Sequence, residues 1–427
     1  MTHDTVVVGA GLAGLTAALR LTEHGQHVVI VARGVGATHL APATIDVLGY
    51  VGEERVDSPA KALAKLFERS PDHPYRRVTR EQLEASLEWF SARVARLGFA
   101  GSLDENLLLP TAIGVAKPSA FAARTMIGGD LRAGGRFLFV GFRGFKDFHP
   151  FLIADNLAYA RLPVPLTARA LELALPADRL GDLGGRRLAE RFDNSHFSDW
   201  LVDSLEHKVH PDERVGLPAV LGLRKADETW QELESRLERQ VFEVPTLPPS
   251  IPGMRLFDSL TRELRAAGVR VVLGATAVGA KTRDGQIEAV EVANASGTVS
   301  YPAQSVVLAS GGFASGGLEL DSRGSTRETV FDLPVVGVPD AGPARFAPRY
   351  FDDQPLASAG VAVDEHFRPV NGDGSPVYTN LHAAGAILGG AVPWKEKSGT
   401  GISIATGYAA AQAIHAVNVP PMAEPVT

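Results

Sequence analysis

A chain of 427 residues is too long for one small core, so two domains, or one domain interrupted by another, are expected. Lys and Arg number 42 against 49 Asp and Glu, a net charge of −7, which argues against a nucleic-acid surface because phosphate binding needs a basic face. Cysteine is absent, and that excludes disulfides, thiolate nucleophiles, cysteinyl-linked flavin and Cys-ligated iron–sulfur clusters.

The start, "MTHDTVVVG", has no basic stretch and enters a strand within four residues, so no signal peptide is expected. Apolar runs are broken by Gly and Arg before the roughly 18 residues a membrane span needs. Residues 4–24 read as strand, tight turn and helix, with "GAGLAG" between the apolar "TVVV" and the periodic "LTAALRLTEHG". Gly9 allows the sharp turn, Gly11 lets the backbone approach a phosphate, and Gly14 lets helix and strand pack closely. The helix N-terminus then offers free N–H groups and the positive end of its dipole. "HVVIVA" follows as a short, fully buried strand of a parallel sheet. A dinucleotide site should close here on a carboxylate that holds a ribose, yet the strand ends in Ala32-Arg33. Arg33 suits the 2′-phosphate of NADP, a flavin phosphate, an anionic substrate or plain solvent.

Residues 51–245 change character to mixed helices and loops. "TREQLEASLEWFSARVARLG" is a helix: Thr79 and Gln82 form a capping box, and Leu83, Leu87, Phe90, Val94 and Leu97 line one face. "FLFVGFRGFKDFHPF" packs six Phe into residues 137–151, with Arg143, Lys146 and His149 spaced three apart. It is either a wall of an anion pocket or a strand and exit loop filling a core. "FEVPTLPPSIPG" is a Pro-rich hinge back to the first architecture. Beyond it come a helix ("MRLFDSLTRELRAAG"), a strand ("VRVVLG"), a hairpin around "RDGQ" and the buried strand "SVVLASGG". "NLHAAGAILGG" is a third strand ending in glycines, and a helix opens near Ile402; "PPMAEPVT" reads as a frayed tail.

A nicotinamide enzyme has no need of these two later strand ends. A flavin does, because its ring lies across the sheet and a helix N-terminus can face N1 and O2, where reduction builds negative charge. The expected contacts are Gly9, Ala10, Gly11, Leu12, Ala13 and Gly14 with Arg33; Ala309, Gly311 and Gly312; Gly385 and Ala386; and Gly399, Gly401 and Ile402. Arg255, Lys395 and Lys397 are either cations for a phosphate-bearing substrate or solvated loop charges. The fold class is α/β, a Rossmann-like FAD/NAD(P)-binding flavoprotein fold with an inserted α+β second domain. Its flavin domain is expected from 1–60, 246–318 and 356–427, the insert from 61–245, and a short cap from 319–355.

The order "GAGLAG", "VARG…THLAPATIDVLG", "FVGFRGFKDFHPFLIADNL", "PTLPPSIPGMRL", "VVLASGGFASGG" and "LHAAGAILGG" resembles the B subunit of anaerobic glycerol-3-phosphate dehydrogenase from about residue 4 to 415. The resemblance implies a flavin, FMN with FAD as the alternative, within a three-subunit respiratory enzyme. That enzyme oxidises sn-glycerol 3-phosphate to dihydroxyacetone phosphate and passes electrons to quinone. The implied partners are a catalytic flavoprotein subunit and an iron–sulfur subunit that anchors the complex to the membrane. The chain is then cytoplasmic, or peripheral on the inner face of the cell membrane through those partners. An acid often follows the third strand in this flavoprotein class, where Gly385-Ala386 stands here. Two acids that would grip an FAD are thus missing, which favours FMN. His39 lies 25 residues after Gly14, near the spacing at which succinate dehydrogenase-like flavoproteins bond their flavin to histidine, but the resemblance implies non-covalent binding and so a packing or flavin-edge role for it. With Arg255 and Lys395 it is a candidate catalytic residue; no metal site is expected. The rival readings are a free-standing FAD oxidoreductase of the fumarate-reductase class and a flavin-free binding protein on the same fold.

Overall fold

The computed structural model describes residues 3–176, 183–339, 345–350 and 352–418; the C-terminal "PPMAEPVT" lies outside them. The chain forms two compact units, one of residues 1–37, 63–93 and 260–427, the other of 38–62 and 94–259.

The first unit is built on a parallel sheet. β1 (His3–Val8) pairs on one side with β2 (Val28–Ala32) and on the other with the strand Gly297–Leu308. Arg270–Leu273 continues the sheet beyond β2, and Leu381–Ala383 continues it beyond Gly297–Leu308. Val6, Val7, Val29, Ile30 and Val31 have no exposed surface, as strands covered on both faces require. The long strand Gly297–Leu308 runs out of this layer into an antiparallel meander with Gln286–Asn294 and Thr276–Arg283. There Ile287, Ala289, Val290 and Val292 are buried while Gln286, Glu288 and Asn294 are exposed, so the strand is covered only in part.

The turn joining the last two strands places Asp284 and Gly285 at φ 50° and 72°, the paired positive values of a type I′ hairpin turn. An added Cβ on Gly285 meets nothing within 4 Å, so the backbone conformation alone sets the cost of replacing it. Gly285→Ala is expected to cost about 1 kcal/mol and to lower the denaturant midpoint without changing cofactor content; equal midpoints would refute the turn assignment.

Helix α1 (Leu12–Glu23) lies against the last helix, Gly399–Asn418, closely enough that a Cβ on Gly407 would stand 2.5 Å from the Ala13 carbonyl oxygen. The helix Arg80–Arg93 opens on the expected capping box, with Thr79 N donating to Gln82 Oε1 (2.9 Å) and Gln82 N to Thr79 Oγ1 (3.2 Å). Its far end is tied to α1: Glu23 accepts from Trp89 Nε1 (2.8 Å) and pairs with Arg93 (2.7 Å). Trp89 also packs on Tyr408 of the last helix. These ties put residues 63–93 in the first unit, although their composition alone places them in the insert.

The second unit holds a four-stranded parallel sheet in the order Leu166–Leu173, Gly135–Phe142, Glu213–Pro218, Val241–Val244. Phe137 and Phe139 stack in parallel and meet Phe242 edge-on at 5.9 and 6.0 Å. Phe142, Phe145 and Phe148 are buried in the same cluster, whereas Arg143, Lys146 and His149 point to solvent. Five of the six phenylalanines of this stretch are core and Phe151 is exposed, so the stretch fills the unit's interior and is not the wall of an anion pocket. The start of the helix Ile251–Ala266 belongs here too, because Ser250 N donates to the His39 carbonyl (2.7 Å) and Gly253 packs on the Thr38 carbonyl. Residues 246–259 therefore fold with the second unit, although the hinge composition suggests a return to the first.

Candidate functional site

The carboxyl ends of three adjacent strands meet around the glycine loop. Gly9 has φ 112°, and a Cβ there would sit 2.2 Å from the Ala309 carbonyl oxygen; no L-residue fits that conformation at that approach. A Cβ on Gly14 would stand 2.1 Å from the Gly9 carbonyl oxygen. Gly11 differs: a Cβ there meets nothing within 4 Å. Gly9 and Gly14 thus close the turn against protein, while Gly11 faces open space. Helix α1 has no side-chain cap on Gly11 and no acid in its first turn. Its N-terminal amides and dipole are left for an anion, and the cradle fits a flavin phosphate.

The neighbouring strand ends complete the arrangement. Gly312 approaches the Ala386 carbonyl oxygen (2.9 Å from an added Cβ), and Gly385, at φ 80°, abuts Ala13 and donates its N–H to Thr406 Oγ1 (2.9 Å). Segments 9–14, 309–312 and 385–386 are thus gathered at one sheet edge. Gly399, Gly401 and Ile402 form the first turn of the last helix, which begins at Gly399, three residues earlier than its periodicity suggests. Ile402 is buried, and its N–H donates to the Ser398 carbonyl.

Arg33 occupies the place of the missing ribose clamp. From the end of β2 its Nη2 donates to the Ser315 carbonyl (3.1 Å), and its guanidinium lies over Gly316. In the sheet β1 lies between β2 and Gly297–Leu308, so this contact links the segments that follow the strands on either side of β1. It is exposed, and one of its five N–H donors is accounted for by Ser315.

The other cations are engaged elsewhere. Lys395 Nζ donates to Asp353 Oδ1 (2.6 Å), which also pairs with Arg69, and the Lys395 ammonium holds the Asp353 carboxyl below its usual range. Lys397 donates to the Trp394 carbonyl. Arg255 is sealed in the second unit: Nη1 and Nη2 grip Glu243 at 2.7 and 2.8 Å, and Nε donates to the Gly222 carbonyl (2.7 Å). A guanidinium whose donors are consumed by a buried carboxylate is poorly suited to a substrate phosphate.

Residues 4–402 match a family of FAD binding domains. The chain is 35% identical to the probable B subunit of anaerobic glycerol-3-phosphate dehydrogenase of Halobacterium salinarum, over 96% of this chain and 98% of that one. It is 32% identical to the B subunit of the anaerobic enzyme from Yersinia pseudotuberculosis (97% and 98% covered) and 31% to that from Pectobacterium atrosepticum (97% and 99%). The chain belongs to the B-subunit family of anaerobic glycerol-3-phosphate dehydrogenase. It is accordingly a flavoprotein of the oxidoreductase class.

Within this member of the B-subunit family the structure places His39, which the sequence marks, and several polar groups that it does not. His39 lies in the second unit, edge-on to Phe257 at 4.9 Å. Burial lowers its pKa, and its Nε2 is enclosed with no hydrogen-bond partner among the described residues. It is a neutral imidazole with an unengaged ring nitrogen. Asp46 is buried in the same unit, accepting from Ser119 Oγ (2.7 Å), Thr44 Oγ1 (2.8 Å) and Lys117 Nζ (2.5 Å). His382 donates from Nδ1 to the His366 carbonyl (2.8 Å), and burial lowers its pKa to about 4, so it stays uncharged at neutral pH. In the first unit His73, Glu396 and Ser398 form a buried chain of hydrogen bonds. Apart from His39, none of these carries a signal in the sequence, since each is a polar residue in an ordinary stretch, held mainly by groups that other segments bring to it. Among the described residues no cluster of three His, Asp or Glu could hold a metal, and no helix is long and apolar enough to cross a membrane.

Proposed function

We propose that this chain carries FMN within a multi-subunit dehydrogenase that oxidises sn-glycerol 3-phosphate to dihydroxyacetone phosphate and delivers the electrons to quinone. The observation that carries the cofactor reading is Arg33. It stands just beyond the end of β2, where FAD would need a carboxylate beneath its adenosine ribose, and its guanidinium donates to the Ser315 carbonyl. The missing charged hydrogen bond amounts to about 1.5–3 kcal/mol against FAD. FMN has no adenosine, and its terminal phosphate suits both the uncapped α1 N-terminus and the guanidinium.

A bound flavin supplies two-electron redox chemistry; the chain's own residues hold its phosphate on Gly11 and Arg33 and face its ring with the last helix. The cofactor contacts proposed are Gly9–Gly14, Arg33, Ala309, Gly311, Gly312, Gly385, Ala386, Gly399, Gly401 and Ile402. Without cysteine the chain can hold no Cys-ligated cluster, so electrons leave through partners: a second flavoprotein subunit and an iron–sulfur subunit at the inner face of the membrane. The relatives' designation as B subunits supports such an assembly. The expected result is a yellow purified chain that releases one equivalent of FMN on heating, resolved by chromatography, and that does not by itself reduce quinone at the rate of the complex. Stoichiometric FAD would overturn the FMN assignment, and a colourless chain the flavin reading.

A further inference from the structure

The last helix is held at its start by a segment far away in sequence. His73 has no exposed surface, and its Nδ1 accepts the Tyr75 backbone N–H at 3.1 Å. That bond fixes the tautomer: the ring proton is on Nε2, which donates to Glu396 Oε2 at 3.1 Å. Glu396 is nearly buried and accepts twice more, from Ser398 Oγ at Oε2 (2.7 Å) and from Val392 N–H at Oε1 (2.8 Å). Tyr75 Oη donates to the Ser398 carbonyl (3.4 Å), and Gly390 packs so tightly on the Asp72 backbone that a Cβ would stand 2.2 Å from its carbonyl oxygen. Residues 72–75 therefore clasp the turn 390–398, which delivers the chain into the helix Gly399–Asn418.

Three donors converge on one carboxylate. None of them is a Lys or Arg, so their dipoles favour the negative charge of Glu396 without neutralising it. Burial pushes its carboxyl up, but these hydrogen bonds, that of His73 foremost, hold it below the usual range. The charge sits three residues before the helix N-terminus. The flavin reading, on which this inference rests, sets the pyrimidine end of the ring at that same terminus.

We propose that Glu396, held ionised by His73 and Ser398, is a positioning residue that lowers the reduction potential of the flavin by opposing the negative charge formed at its N1–O2 end. The physical basis is charge near the flavin ring acting through a low-dielectric interior. The helix dipole favours the reduced anion and Glu396 offsets part of that effect, so the potential is a balance of two groups at one helix end.

The test uses flavin-loaded full-length protein and a dye-equilibration titration that reads the midpoint potential. Glu396→Gln is expected to raise the potential. His73→Gln, which retains a donor to the carboxylate, should remain near the parent value. Should Glu396→Gln not fold, Glu396→Ala removes the same charge and is likewise expected to raise the potential. An unchanged or lowered potential in the charge-losing variants, with flavin bound, overturns the proposal and leaves a purely mechanical clasp. A parent protein that binds no flavin fails the earlier reading instead, and the two failures are told apart by colour before any titration.

Discussion

Gly11→Val is expected to fold as stably as the parent and to lose its flavin. An added Cβ at Gly11 meets no protein atom within 4 Å, so the substitution falls among surface changes, within about 0.5 kcal/mol in stability. The side chain would occupy the space through which a phosphate approaches the α1 amides. Losing one or two charge-assisted hydrogen bonds there corresponds to roughly a hundredfold weaker binding. Gly14→Ala is the contrast. Its Cβ would stand 2.1 Å from the backbone oxygen of Gly9, where overpacking costs about 1–3 kcal/mol, so stability and flavin should fall together. Thermal unfolding alongside the visible flavin absorbance separates the two. Full flavin content in Gly11→Val would remove the loop from the cofactor site.

Arg255→Leu should instead cost stability without altering the cofactor. The Arg255 and Glu243 side chains are 6% and 0% exposed, and Glu243 also accepts from Thr125 Oγ1 (2.7 Å) and Leu221 N (3.0 Å). Removing the guanidinium leaves a buried carboxylate with neutral donors alone, a loss of about 3–5 kcal/mol. Replacing both partners by apolar residues should restore much of that loss, because no uncompensated charge remains. Denaturant unfolding of the two single variants and the double variant checks this. A stable Arg255→Leu protein that had lost its response to glycerol 3-phosphate would return Arg255 to the substrate site.

Where groups stand elsewhere than their composition suggests, contacts between distant segments are the cause. Arg255 follows a Pro-rich hinge and so reads as a cation beside the flavin, yet Glu243, twelve residues earlier on a buried strand, takes its charge. Lys395 reads as available, but Asp353 lies within reach across 42 positions. Residues 63–93 read as insert because their pattern is that of any amphipathic helix, and a helix's apolar face does not state which core it joins. The interactions of Trp89 and Arg93 with Glu23 decide it.

What the sequence determined was local chemistry with a fixed spacing. Strand, glycine loop and helix at 4–24, the capping box of Thr79 and Gln82, the Asp284-Gly285 hairpin and the absent carboxylate after β2 are all set by steric and hydrogen-bonding needs within a few residues. Membership of a family of full-length relatives then follows from the order of such segments. Tertiary structure alone decided the pairings between segments: Arg33 with Ser315, His73 with Glu396, Glu243 with Arg255 and Asp46 with Lys117. A polar side chain carries no mark of its partner along the chain. Its charge state and availability depend on burial and on which donors the folded backbone brings within about 3 Å.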